Sequence, residues 1–179
     1  ASGNPDWWTR QKDAPLSPEI YAEKLVPLLD SLKLKILLEP GRYMAGNAGV
    51  LLTTCLYEKK GQAKTFKIVD AGMNDLIRPA LYEGHHEIIP VSESSRAKHI
   101  KADVVGPICE SGDFFCQDRE IADFSAGDLV ALMSAGAYSF TMASNYNSRP
   151  LPAEILVDGN NAQLARARQT FADLVAGEG

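Results

Sequence analysis

The sequence predicts a mixed fold: the last helix–strand unit of an α/β part, then an antiparallel β-sandwich or barrel, Greek-key-like, closed by a C-terminal helix. Three observations predict it. Short β-rich runs recur through the middle of the chain, separated by Gly, Pro and Asp, which is the texture of a sandwich or barrel. One amphipathic helix pattern and one short apolar run precede them, the run suiting a strand buried on both faces. With 179 residues, 45% of them hydrophobic and 23% charged, the chain has material for about one domain with a real core.

The elements follow in order. Ser17-Pro18-Glu19 reads as a helix start, with Ser as N-cap, Pro at the first helical position and an acid in the first turn. Ile20, Leu25, Leu28, Leu29 and Leu32 continue at helical spacing, and Pro27 is expected to kink this helix or displace its start. Ile36 to Leu38, within "KILLEPGR", reads as a buried strand that Pro40-Gly41 ends. The runs "AGVLLTTCLYEKKG", "KTFKIVDAG", "HEIIPV", "ADVVGPI", "REIADF" and "DLVALMSA" read as short strands, and "PAEILVDG" as the last one. "NAQLARARQTFADLV" reads as the closing helix, capped by Asn160 or Asn161, with Leu164, Ala167, Phe171 and Leu174 on one stripe. One helix and one parallel strand make no stable sheet, so residues 1–45 read as the end of a larger domain and residues 46–179 as the β-domain. The opening "ASGNPDWWTRQKDAPLSPE", without Met or strand, reads as the middle of something.

Several function classes are disfavoured. A net charge of −5 argues against general nucleic-acid binding. No apolar run approaches the ~20 residues of a membrane span, and no secretory signal opens the chain. Three cysteines, few and odd in number, disfavour a disulfide scaffold and fit a reducing compartment such as the cytoplasm. Cys109, Cys116 and the pair His85-His86 lack zinc-ligand spacing, so no metal is expected.

Four stretches carry groups suited to chemistry. In "EPGR", directly after the expected strand, Gly41 allows close backbone approach, Arg42 offers a forked donor to phosphate or carboxylate, and Glu39 can pair with a protonated ring nitrogen. The same residues also read as a turn with a surface ion pair. In "AGMNDLIRPALY", Arg78 and Tyr82 stand four apart and, on a helix, share a face that could grip a carboxylate; they also read as an exposed arginine and a half-buried tyrosine. "VGPICESGD" sets Cys109 beside Glu110. A negative neighbour favours the protonated thiol, which suits an acid better than a nucleophile, and Glu110 could bind an ammonium group. A small buried cysteine beside a solvated glutamate is the plain alternative. In "GAYSFTMASNYN", Tyr138 follows the small residues Gly136 and Ala137, so its phenol could reach a phosphate, or it is a core or edge-strand tyrosine.

Taken together, "ILLEPGR", "VDAGMNDLIRPALY", "VGPICESGD" and "AGAYSFTMASNYNSRP" resemble the C-terminal portion of the diaminopimelate decarboxylases, pyridoxal-phosphate enzymes of the alanine racemase-like fold. The resemblance runs from about Ser17 almost to the end. Ornithine decarboxylases share the EPGR element but typically carry Cys-Asp where this chain has Cys109-Glu110.

The resemblance implies loss of CO2 from the D-configured centre of meso-diaminopimelate, giving L-lysine. It assigns Glu39 to the pyridine nitrogen of pyridoxal 5'-phosphate, Gly41 and Arg42 to its phosphate, and Tyr138 to cofactor and substrate. It assigns Arg42, Arg78 and Tyr82 to substrate carboxylates, Glu110 to the distal ammonium, and Cys109 to return of a proton. It implies a homodimer in which the Cys-Glu loop reaches the partner's active site. It makes residues 1–45 the end of a truncated (β/α)8 barrel. The family's cofactor-bearing lysine, in a Tyr-x-x-Lys context, its ring-stacking His and its Gly-rich loop are not found among these residues, and the opening reads as beginning just past that loop. By that expectation the chain alone does not catalyse the full reaction. A decarboxylase for carboxynorspermidine or a basic amino acid, and a non-catalytic dimerisation unit, are the alternatives.

Overall fold

The computed structural model describes residues 16–93 and 98–178, so the opening stretch from Ala1 to Pro15 lies outside the described residues. The chain divides between Glu39 and Pro40 into two compact units. In the first, α1 spans Pro18–Asp30. Ser17 caps it as its sequence dictates, the Ile20 N–H donating to Ser17 Oγ at 3.3 Å. The helix accommodates Pro27 in its interior, and its start is not displaced. Residues 33–40 carry no regular structure, so the strand expected at Ile36–Leu38 does not form. Ile36, Leu37 and Leu38 are exposed. Among the described residues no second strand lies alongside them, and a lone strand leaves its backbone groups unpaired.

The second unit opens with the short helix α2, Gly41–Ala45, and a single 3-10 turn, Gly46–Ala48. The expected strands then appear: β1 (Leu51–Lys60), β2 (Thr65–Val69), β3 (Ile88–Pro90), β4 (His99–Val105), β5 (Phe114–Ala122) and β6 (Leu129–Leu132), with helix α3 (Arg78–Tyr82) between β2 and β3. They form one sheet in the order β3-β6-β1-β2-β4-β5. Every pairing is antiparallel except β2 with β4, which is parallel. The edge strands β3 and β5 come together, so the sheet curls into a nearly closed barrel. Arg119 on β5 ties this closure, donating from Nη2 to the His86 carbonyl at 2.7 Å. The core inside holds Val69, Leu76, Ile88, Val104, Phe115, Phe124, Val130 and Leu132.

The C-terminal expectation is corrected in one respect. Glu154–Asp158 is a strand, β7, but Asn161–Arg166 is another, β8, and not the start of a helix. Gly159 and Asn160 turn the chain, with Asp158 paired to Asn161 and Val157 to Ala162. Ladder hydrogen bonds and the Glu154–Arg166 ion pair at 2.9 Å outweigh the helical propensity of Ala, Gln, Leu and Arg. The closing helix α4 is confined to Phe171–Leu174, capped by Thr170 and Asp173 in reciprocal bonds and not by Asn160 or Asn161. Among the described residues no helix is long and apolar enough to cross a membrane.

Lys67 on β2 is only 1% exposed. Its ammonium is held by Glu58 and by the Phe124 carbonyl, and by Asp123 at 2.8 Å. Burial disfavours this charge, but the bonds to Asp123 and Glu58 outweigh it and the ammonium is held above its ordinary range. Burial likewise pushes the Asp123 carboxyl up, and Lys67 and Lys98 more than offset that, leaving it lowered. Asp123→Ala, which leaves a buried cation short of a partner, is expected to cost about 3 kcal/mol in denaturant unfolding. The pH dependence has a definite sign. A lowered carboxyl contributes stability above its unfolded pKa and loses it as the pH falls through the folded value, so the variant's deficit shrinks in acid below the ordinary carboxylate range. A deficit unchanged between neutral pH and acid would contradict the assignment.

Candidate functional site

The loop after β6 turns back on α2 and builds the first half of the site. Ala135 N–H donates to the Gly49 carbonyl at 2.8 Å, and Gly136 N–H to the Gly46 carbonyl at 2.9 Å. His86 holds the same loop: its Nδ1 bonds the Met133 carbonyl at 2.8 Å. With that carbonyl as acceptor, Nδ1 carries the proton and Nε2 is left as an acceptor, buried and without a partner among the described residues. Burial, together with the charges of Arg78 and Arg42, keeps this imidazole below its ordinary pKa and therefore neutral at pH 7. Past this seam Tyr138 takes a left-handed backbone, φ 60°. A Cβ added at Gly41 would lie 3.9 Å from the Tyr138 hydroxyl, so the phenol sits over the first residue of α2.

The loop after β2, "VDAGMND", presents the second half. It is fixed by polar bonds that the sequence alone does not display. Asp70 accepts from Thr53 Oγ1 at 2.5 Å and from the Thr54 N–H at 2.8 Å, and Ala71 N–H donates to Thr53 Oγ1 at 2.9 Å. Arg149 bridges across, with Nε donating to Asn74 Oδ1 at 3.0 Å and Nη2 to the Asp70 carbonyl at 2.6 Å. This loop delivers α3, where Arg78 and Tyr82 share a face as their spacing requires. The Arg78 guanidinium carbon lies 5.7 Å from the Tyr138 ring centre and 6.0 Å from that of Tyr82. Burial lowers its pKa, and the nearby charge of Arg42 lowers it further. Among the described residues neither Arg42 nor Arg78 has a carboxylate partner. Two guanidinium groups, a phenol and a close backbone therefore converge on one place without an anion to balance them.

Cys109 and Glu110 lie on the loop before β5. Cys109 is exposed, whereas Cys55 and Cys116 are buried. Glu110 Oε1 accepts from the Gly112 N–H at 3.3 Å, and Oε2 accepts from the Tyr146 hydroxyl at 3.4 Å. Glu110 and Tyr146 line a cavity of about 350 Å³ with Met73, Asn74, Ile77 and Ser144. No hydrogen bond, ion pair or ring contact among the described residues joins this group to Arg42, Arg78, Tyr82 or Tyr138. Glu39 is exposed and is the last residue of the first unit.

The structure thus groups Gly41, Arg42, Arg78, Tyr82 and Tyr138, while Glu110 shares its cavity with Ile77, the residue before Arg78. It adds His86 and Tyr146, which the sequence reading passed over. A signal was present for Tyr146, since it falls within the quoted "AGAYSFTMASNYNSRP".

The family model described as "Pyridoxal-dependent decarboxylase, C-terminal sheet domain" matches residues 20–136. The chain is 48% identical over 166 residues to a diaminopimelate decarboxylase of Aquifex aeolicus, covering 93% of this chain and 39% of that protein. It is 50% identical over 158 residues to one of Neisseria meningitidis serogroup A, covering 88% and 38%. Its structure matches that of diaminopimelate decarboxylase from Helicobacter pylori complexed with L-lysine, with a TM-score of 0.82 at 38% identity, over 95% of this chain and 42% of the other. The chain therefore spans about two fifths of the length of these relatives.

Proposed function

The chain belongs to the pyridoxal-dependent decarboxylases, as their C-terminal sheet domain, and on that footing we propose that it grips the substrate of an enzyme converting meso-diaminopimelate to L-lysine and CO2, the last step of lysine biosynthesis. The observation that carries this reading is the pair of unpaired guanidinium groups, Arg42 and Arg78, beside the Tyr138 phenol. Such donors fit a phosphate or a carboxylate, and meso-diaminopimelate bears two carboxylates. They therefore fit pyridoxal phosphate and its substrate together.

Pyridoxal phosphate, when bound, supplies the electron sink for the electron pair left by departing CO2. This chain's residues supply part of the rest. Glu39 would pair with the pyridine nitrogen and hold its proton. The Gly41 backbone, Arg42 and Tyr138 hold the phosphate side. Arg78 and Tyr82, with Arg42, bind substrate carboxylate, Glu110 reads the distal ammonium, and Cys109 delivers a proton to the carbon that lost CO2. The buried lysine of the sheet is not a carrier for the cofactor: Lys67 is charged and held by Glu58, Asp123 and the Phe124 carbonyl. Residues 1–45 continue a (β/α)8 barrel in this reading, residues 46–179 are the β-domain, and the enzyme is a cytoplasmic homodimer.

The test is substrate choice. The holoenzyme carrying this chain is expected to release CO2 from meso-diaminopimelate. Release from carboxynorspermidine, lysine or ornithine, with none from meso-diaminopimelate, would sink the reading. Arg78→Ala is expected to weaken binding of the diacid by about 2–5 kcal/mol, read as a rise in Kd. Unchanged affinity would remove Arg78 from the carboxylate site.

A further inference from the structure

We propose that Asp113 is a positioning residue for this reaction: its carboxylate fastens the loop bearing Cys109 and Glu110 to the Gly72–Ile77 loop that leads into the Arg78 helix. The side chain is 4% exposed. Oδ1 accepts from the Met73 N–H at 2.7 Å, and Oδ2 accepts from the Ile108 N–H at 2.5 Å. Each oxygen thus serves a different loop, and both bonds are charge-assisted. The Cys109 loop closes on itself without the carboxylate, through Asp113 N–H to the Glu110 carbonyl and Gly106 N–H to the Asp113 carbonyl, both at 3.0 Å. The side chain is therefore free to reach outward, and what it adds is registration between two loops.

Gly106 makes room for this. A Cβ there would lie 2.4 Å from both Asp113 oxygens and 2.7 Å from the Ala71 carbonyl oxygen. The glycine at the head of "GPICESGD" and the aspartate at its end are parts of one fitting. The peptide that Oδ2 holds belongs to the buried Ile108, 7% exposed, and the next residue is the exposed Cys109. The peptide that Oδ1 holds opens the segment running through Asn74 and Asp75 to Arg78. Arg149 binds the same segment from its other side, at Asn74 and Asp70. One carboxylate sets where the thiol stands relative to the arginine's helix.

The relevance to catalysis rests on the proposed decarboxylation, so the principal readouts need no turnover. In the unmodified chain, amide hydrogen exchange at Met73 and Ile108 is expected to be at least about 10-fold slower than at the exposed amides of the same loops. Fast exchange at both overturns the proposal, whatever any variant does. Asp113→Asn keeps the shape but turns an NH2 group toward one of the two donors. It is expected to speed exchange at Met73 or Ile108 and to change the rate of Cys109 alkylation by iodoacetamide at least about 3-fold, while Cys55 and Cys116 stay unreactive. Gly106→Ala, which displaces the carboxylate directly, is expected to give the same local signature. Unchanged exchange and alkylation in both variants, or exposure of all three thiols together, overturns the role. In the holoenzyme, Asp113→Asn is expected to lower kcat at least about 10-fold with a smaller change in KM. Wild-type kcat would reject the positioning role even where meso-diaminopimelate is the substrate, and loss of the substrate assignment would leave the exchange and thiol results standing.

Discussion

Gly136→Ala is expected to cost more than about 3 kcal/mol, the severe end of overpacking, because the methyl has nowhere to go. A Cβ at this position would lie 2.0 Å from the Ala45 carbonyl oxygen, 2.8 Å from the Gly49 nitrogen and 3.1 Å from the Ala45 carbonyl carbon. All three are backbone atoms, so no side chain can swing aside. Relief requires parting the seam in which Gly136 and Ala135 bond to Gly46 and Gly49. That seam seats Tyr138 over Gly41, so phosphate affinity is expected to fall along with the denaturation midpoint. Gly112→Ala is the control. Its nearest neighbour would be the Met73 methyl at 3.5 Å, an ordinary contact with a flexible side chain, and stability should hardly change. A Gly136→Ala protein as stable as its parent would mean that the two loops are not in backbone contact.

The second large effect concerns turnover. Cys109→Ala is expected to lower kcat by about 10²- to 10³-fold while changing KM less than about 3-fold. Cys109 is the exposed cysteine of the three, on a loop whose neighbouring peptide is fixed by Asp113. In the proposed role a proton donor would act only after the carbon–carbon bond has broken, so its loss would spare binding. Glu110, the adjacent residue, separates the two roles: Glu110→Gln should raise KM for a diamine substrate more than it lowers kcat. Equal losses of affinity and turnover in Cys109→Ala would make the thiol a binding group.

Sequence conveyed the local parts of this molecule well and the long-range parts poorly. The six barrel strands were legible because apolar runs ended at Gly, Pro or Asp. Helix α1 was legible because Ser17 and Pro18 announce it. The stretch Asn161–Arg166 misled because its residues favour helix, and only pairing with β7 overrides that preference. Ile36–Leu38 has a strand's composition, but a strand needs a neighbour. At the site, Arg78 and Tyr82 could be grouped by their spacing. The approach of Tyr138 to Gly41 could not be seen, since it depends on two backbone segments far apart in sequence meeting through glycines. Asp113 stood in plain view in "CESGD", yet its partners are a peptide 40 residues away and another five residues away, which no local pattern reveals.

The parallel pairing of β2 with β4 imposes a geometric demand that the antiparallel pairs escape. Two adjacent parallel strands cannot be joined by a tight turn, so the chain must leave the end of one and travel back to the start of the other. Residues 70–98 make that journey, and along it lie the aspartate-braced turn, the Arg78 helix, His86 and strand β3. The detour is an obligation of topology, and the proposed ligand-gripping residues Arg78 and Tyr82 are built on it. Part of it, β3 with Leu76 and Ile88, also belongs to the sheet and its core. The same excursion therefore serves both the frame and the proposed site.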